Sequence, residues 1–129
     1  MTDRELLKLA KEASERAHAP YSRFKVGAAL ECADGQIFTG CNIENAALGC
    51  TMCAERTAIF KAVSEGQKEF SRIAIYGESA DYCMPCGSCR QVMAEFSQGD
   101  LELLCSNAVG GYVSYKLNQL LPHAFRQIH

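Results

Sequence analysis

The chain has 129 residues, 48% of them hydrophobic, and a formal charge of -2 from 13 Lys and Arg against 15 Asp and Glu. That length supports one domain with its own core, and the missing basic footprint argues against nucleic acid and for a free small molecule as the partner. No apolar stretch is long enough to span a bilayer, and Met1-Thr2-Asp3-Arg4-Glu5 lacks the charged-then-apolar order of an export signal, so no membrane and a cytoplasmic location are expected.

Thr2 and Glu5 have the spacing of a capping box, and Leu6, Ala10, Ala13 and Ala17 recur on one face of a first helix running up to Pro20. From Phe24 to Cys32 small and apolar residues predict a strand. Asp34-Gly35 is a hairpin turn, and Gln36 to Gly40 returns as an antiparallel second strand. Asn42 to Met52 is polar and irregular, the kind of loop that carries function. A second helix is predicted from Cys53 to about Glu65, with Gly66 as its stop. Arg72 to Tyr76 reads as a buried strand, and a third helix follows from Cys86 to Gln98, ended by Gly99. This strand and helix lead by a parallel crossover to a fourth strand, Leu101 to Cys105. The link from there to Tyr112–Tyr115 is too short for a crossover, so the last two strands must be antiparallel. The predicted architecture is a three-layer α/β/α domain on a mixed five-stranded sheet, one domain over residues 1–129.

Two short clusters carry the chemistry: Cys53-Ala54-Glu55-Arg56 and Pro85-Cys86-Gly87-Ser88-Cys89. Thiolates hold Zn2+ tightly, and a catalytic site uses three protein ligands so that the fourth tetrahedral position stays open. Cys53, Cys86 and Cys89 supply three, and Glu55 stands two residues from a ligand, where a general acid/base that does not bind the metal is needed. Both clusters read as helix starts, with Pro85 suited to an N-terminal position. Three thiolates leave a zinc site net negative; the positive helix ends and Arg56 offset that charge. Arg56 is otherwise out of place, since a helix N-terminus disfavours a cation.

A closed structural site is the rival, because Cys50-x-x-Cys53 and Cys86-x-x-Cys89 also form a pair of pairs. The gap between them exceeds the roughly 15 to 20 residues usual in such ribbons, and Glu55 would then have no role. Cys32, Cys41, Cys50, Cys83 and Cys105 read as buried free thiols behaving as small apolar residues. Asn42 and Glu44 lie two apart, so an extended loop aims both to one side, a donor amide and an acceptor carboxylate for a sugar hydroxyl. Alone, such a pair in a polar loop is usually just solvated. Phe24 reads equally well as a core residue. Arg90 and Gln91 suit surface or capping roles, and His18, His123 and His129 match no motif position.

Six segments together resemble the small, homotetrameric, three-cysteine class of cytidine deaminases. They are Ala19-Pro20-Tyr21-Ser22-Arg23-Phe24, Val26-Gly27-Ala28-Ala29-Leu30, Gly40-Cys41-Asn42-Ile43-Glu44-Asn45-Ala46-Ala47, Cys53-Ala54-Glu55-Arg56-Thr57-Ala58, Pro85-Cys86-Gly87-Ser88-Cys89-Arg90-Gln91 and Leu120-Leu121-Pro122. The resemblance implies one Zn2+ per chain and hydrolysis of cytidine and 2'-deoxycytidine to the uridines and ammonia, with Glu55 shuttling protons. It also implies that Asn42 and Glu44 hold the ribose, that Phe24 packs on the pyrimidine, and that the Ala54 and Cys86 backbones meet the base. Phe125, just after the Leu-Leu-Pro segment, would complete a neighbour's site in a homotetramer. Where this class commonly has a tyrosine after Asn45-Ala46-Ala47, the chain has Leu48, so an intersubunit phenol bond is replaced by apolar contact. Deaminases of polynucleotides place a helix where this chain has its terminal hairpin. An aminopyrimidine deaminase of the blasticidin type and a non-enzymatic zinc module are the other readings.

Overall fold

The computed structural model describes residues 1–127; His129 lies outside them. Its five strands are β1 (Val26–Cys32), β2 (Ile37–Cys41), β3 (Phe70–Gly77), β4 (Glu102–Ser106) and β5 (Tyr112–Lys116), in the spatial order β2-β1-β3-β4-β5. Only β3 and β4 are parallel, and β4 pairs antiparallel with β5 from Glu102 opposite Lys116 to Ser106 opposite Tyr112. The predicted mixed five-stranded sheet and terminal hairpin are present.

Side chains alternate across the three central strands, and both faces are covered. Ala28, Leu30, Ile73, Ile75, Leu103 and Cys105 pack with Ala58, Ile59, Ala62, Cys89 and Met93 of helices α2 (Ala54–Ser64) and α3 (Gly87–Glu95). Ala29, Ala74, Tyr76 and Leu104 face the other way, against Leu6, Leu7 and Ala10 of α1 (Asp3–Ser14). A period of two buried on both sides is what a central strand between helical layers requires.

The capping box is formed: the Thr2 hydroxyl accepts from the Glu5 N–H at 3.2 Å, and the Glu5 carboxylate accepts from the Thr2 N–H at 3.0 Å. The helix stops at Ser14, short of Ala17. Arg16 and Ala17 close tighter turns onto Ala13 and Ser14, and the His18 N–H is drawn to the Asn42 carbonyl at 3.0 Å. Helix α3 also ends early, at Glu95 instead of Gln98. The Phe96 N–H bonds back to Met93, its ring lies 5.9 Å from that of Phe70, and the Ser97 hydroxyl accepts from Gly99. Two short elements were not anticipated, a 3-10 turn at Leu48–Cys50 and α4 (Leu117–Leu120).

Two contacts bring α2 to the place where the site is built. A Cβ on Gly40 would lie 2.6 Å from both the Ala54 carbonyl oxygen and the Ala58 nitrogen, so the bare backbone of β2 is what lets α2 lie this close. Ile43 and Met52 exchange two backbone hydrogen bonds of 2.9 Å, which folds the 42–52 loop back and sets Asn42 beside the start of α2. The starts of α2 and α3 then face each other beyond the carboxyl end of β3. Open α/β sheets form their crevices at such carboxyl ends.

Candidate active site

Cys53 caps α2 and Cys86 caps α3, each in extended conformation with no side-chain capping bond, while Cys89 sits in the first turn of α3, fully buried. Their three Sγ atoms lie within 4.8 Å of one another. Cys53 to Cys86 is 3.8 Å and Cys86 to Cys89 is 3.5 Å, and all three are free thiols. Tetrahedral zinc with Zn–S bonds of about 2.3 Å separates its sulfurs by about 3.8 Å, so the donor set fits the ion in type and spacing. Cys50, exposed in the 3-10 turn, does not belong to this cluster.

The electrostatics favour the anion at Cys53. Hydrogen bonding from Cys89, then the Arg56 guanidinium, lowers the Cys53 thiol from its ordinary value to about 5. Cys89 is raised in turn, because it donates to Cys53. Arg56 donates from Nη2 to Cys53 Sγ at 3.3 Å, and its Nε is buried without a partner among the described residues.

Glu55 projects from the first turn of α2 and is 4% exposed. Burial pushes its carboxyl up to about 7, against a weaker opposing pull from its own backbone N–H. A carboxyl near neutrality takes up and releases protons with little driving force in either direction. Glu55 lines a cavity of about 200 Å³ with Phe24, Val26, Asn42, Thr51, Met52, Cys53, Ala54, Cys83, Met84 and Cys86. Sequence-derived site residues from four separate segments, Phe24, Asn42, Cys53 to Glu55, and Cys86, thus share one cavity.

The remaining candidates are placed differently. The Asn42 side chain donates to the Phe24 carbonyl at 2.8 Å and accepts from the Val26 N–H at 2.9 Å, so half of its hydrogen-bonding capacity already grips the chain around Phe24. Glu44 lies outside that cavity, in an adjoining one with Tyr21, Ser22, Asn45, Leu48 and Thr51. Its carboxylate is held below the ordinary range by the Ser22 hydroxyl first and then by the Ser22 and Tyr21 N–H groups. Phe125 is 78% exposed and does not line its own chain's cavity, although the Gln91 amide bonds its carbonyl at 2.8 Å.

Cys83, grouped above with the background thiols, lines the cavity; burial raises its thiol to about 12. A Cβ on Gly77 would lie 2.8 Å from the Phe24 ring and 2.9 Å from Cys83, so that bare strand end is where the two side chains meet. Cys32 and Cys105 are buried as expected, but Cys41, on the edge strand β2, is half-buried and Cys50 is exposed, because neither lies between the layers. Arg90, read as a surface or capping residue, bonds the Pro85 carbonyl at 2.8 Å and the Leu120 carbonyl at 2.9 Å, fixing the turn that delivers Cys86. Its signal was the one that singled out Arg56, a cation in the first turn of a helix.

Comparison with known proteins agrees with this geometry. Residues 1–105 match the family model for the cytidine and deoxycytidylate deaminase zinc-binding region. The cytidine deaminase of Sporosarcina psychrophila is 48% identical over 120 residues, 93% of this chain and 88% of that protein. A probable cytidine deaminase of Dictyostelium discoideum is 45% identical over 92% of this chain and 80% of its own length. The crystal structure of cytidine deaminase from Burkholderia pseudomallei superposes with a TM-score of 0.94 at 49% identity, over 97% of this chain and all of that one (100%). That of the Mycobacterium tuberculosis enzyme gives 0.85 at 37% identity, over 98% of this chain and 100% of the other. Taken with the three clustered thiols at the helix starts, these matches show that the chain belongs to the cytidine and deoxycytidylate deaminase family of zinc hydrolases.

Proposed function

We propose that the protein hydrolyses cytidine and 2'-deoxycytidine to uridine and 2'-deoxyuridine with release of ammonia, a step of pyrimidine salvage. One Zn2+ per chain would be held by Cys53, Cys86 and Cys89. The observation that carries the reading is the meeting of three thiols within 4.8 Å with a buried carboxyl on one cavity. Bound there, zinc would supply Lewis-acid activation of a water. Glu55 is the proton carrier: it takes the water's two protons in turn, passing the first to ring N3 as the oxygen bonds C4 and the second, from the hydroxyl then on C4, to the amine as the C4–N bond breaks and ammonia leaves. Arg56 offsets the negative charge of the thiolates. Phe24 packs along the pyrimidine, the Ala54 and Cys86 backbones meet the base, and Asn42 and Glu44 take the sugar hydroxyls with the hydrogen-bonding capacity that the fold leaves them.

The same reading assigns a homotetramer in the cytoplasm, with Phe125 serving a neighbouring subunit's site. The exposure of Phe125 at 78% and Leu48 at 80% supports this, since apolar side chains stranded in water gain about 25 cal/mol per Å² when covered. Mixed assemblies of Phe125→Ala and Glu55→Gln chains should regain activity that neither parent has. No rescue in confirmed mixed tetramers removes the shared site.

Ammonia release from cytidine tests the function directly. Free cytosine should be a far poorer substrate, because it leaves Asn42 and Glu44 without their sugar partners. At the buried Asn42 an unmet hydrogen bond costs about 1 to 3 kcal/mol. Equal efficiency on the two substrates would take the sugar role from both residues, and no ammonia from cytidine in zinc-loaded protein would end the proposal.

A further inference from the structure

The turn that carries Phe24 to the cavity is held by side chains from a distant loop. One Glu44 oxygen accepts from the N–H groups of Tyr21 and Ser22, at 3.0 and 3.1 Å. The other accepts from the Ser22 hydroxyl, and that hydroxyl in turn accepts from the Phe24 N–H at 3.0 Å. A hydroxyl has one proton; with it given to Glu44, the lone pairs of Ser22 are left for Phe24. Between the two lies Arg23, at φ 62 the one non-glycine residue with positive φ among the described residues. A side-chain-bearing residue in this left-handed region persists only where its surroundings enforce it, and such residues cluster at functional sites. On the far side, the Asn42 amide holds the Phe24 carbonyl. Both peptide groups of Phe24 are therefore tied to the loop that bears Asn42 and Glu44. Ser22 lines the cavity of Glu44 and not the cavity of Glu55, whereas Phe24 lines the latter.

We infer that Ser22 is a positioning residue that couples sugar recognition at Glu44 to the placement of the Phe24 ring along the base cavity. The inference rests on the proposed function, in which Glu44 meets the sugar and Phe24 the pyrimidine. It goes further in making one carboxylate serve two ends of the substrate. A sugar hydroxyl on Glu44 engages the same group that orients Ser22, so the wall beside the base is set partly by whether a sugar is present. It also gives a task to the Tyr21-Ser22-Arg23-Phe24 segment, of which only Phe24 had one.

The test is steady-state kinetics on zinc-loaded, folded Ser22→Ala, with Ser22→Thr as the conservative control. KM for cytidine should rise about two- to tenfold in Ser22→Ala with little change in kcat, the range expected for one lost hydrogen bond. The inhibition constant of 2',3'-dideoxycytidine against cytidine turnover should rise by a similar factor. That analogue has no sugar hydroxyl at positions 2' and 3' for Glu44, so its weaker binding reports the base wall. Ser22→Thr keeps the Oγ and should stay close to wild type on both measures. An inhibition constant unchanged in Ser22→Ala overturns the inference, as does a Ser22→Thr chain as impaired as Ser22→Ala. A fall in melting temperature with both constants unmoved would make Ser22 merely structural. Wild-type protein that released no ammonia would remove the proposed function and this inference together, whereas active wild type with an unmoved analogue constant removes the inference alone.

Discussion

Arg72 and Arg56 are both partly buried, and the fold treats them differently. Arg72, on β3, donates to Glu31 at 2.8 Å through Nε and Nη2, to Asp3 at 2.7 Å and to the Met1 carbonyl at 2.7 Å. Its corner is complete, joining the start of α1 to the sheet. Arg56 has one thiol at 3.3 Å and a buried Nε with no partner among the described residues. The guanidinium thus stands beside the three thiols that cluster within 4.8 Å. The first arrangement joins a helix to the sheet, and the second lies at a cluster of thiols that could hold a metal.

Breaking the second corner at its ligands should have the largest effect. Cys86→Ala should lose its zinc and all deamination, while Cys50→Ala keeps both, read by metal analysis of the purified variants. Equal zinc loss from the two would restore the closed four-thiol site. Glu55→Gln should retain zinc and fold yet lose turnover by at least the 100- to 10,000-fold typical of acid/base transfer, and near-normal turnover in zinc-loaded protein would sink the mechanism.

Arg56→Gln should lower zinc affinity or activity by about 10- to 100-fold, as loss of a supporting partner around a metal does, with a small change in melting temperature. Arg72→Met should show the reverse, activity per folded molecule unchanged and stability lower by about 1 to 2 kcal/mol. The pH dependence sharpens the contrast. Arg72 holds Glu31 below its ordinary value of 4.5, so this stabilisation is present above that pH and is lost as pH falls through the lowered value. Denaturant melts of wild type and Arg72→Met should differ by a constant amount near neutrality and converge in acid. A gap that widened on acidification would mean that Glu31 is not the partner that matters.

The two corners also differed in how readable they were. Cys53, Glu55, Arg56, Cys86 and Cys89 could be picked out because each stands within a few residues of a helix start, and helix starts announce themselves through local spacing. Arg72 could not, since its partners Asp3 and Glu31 are 69 and 41 residues away. Local competition sets the helix boundaries: the apolar period alone would carry α1 to Ala17, but backbone bonds between His18 and the 42–44 loop take the chain away first. Cys83 carries no local signal of its cavity position, because an isolated thiol looks the same in a core as in a cavity wall.

By itself the sequence determined the kinds of element, the antiparallel final hairpin and the identity of the three clustered thiols, all of which follow from spacing within short windows. The tertiary structure decided which groups share a cavity and which are already committed. It placed Glu44 beside Ser22, 22 residues away, and turned the Asn42 amide onto the backbone of Phe24, 18 residues away. It also left Cys50 outside the cluster and Arg56 Nε without a partner among the described residues. A hydrogen bond between such distant residues depends on how loops and layers pack in three dimensions, and no periodicity along the chain encodes that distance.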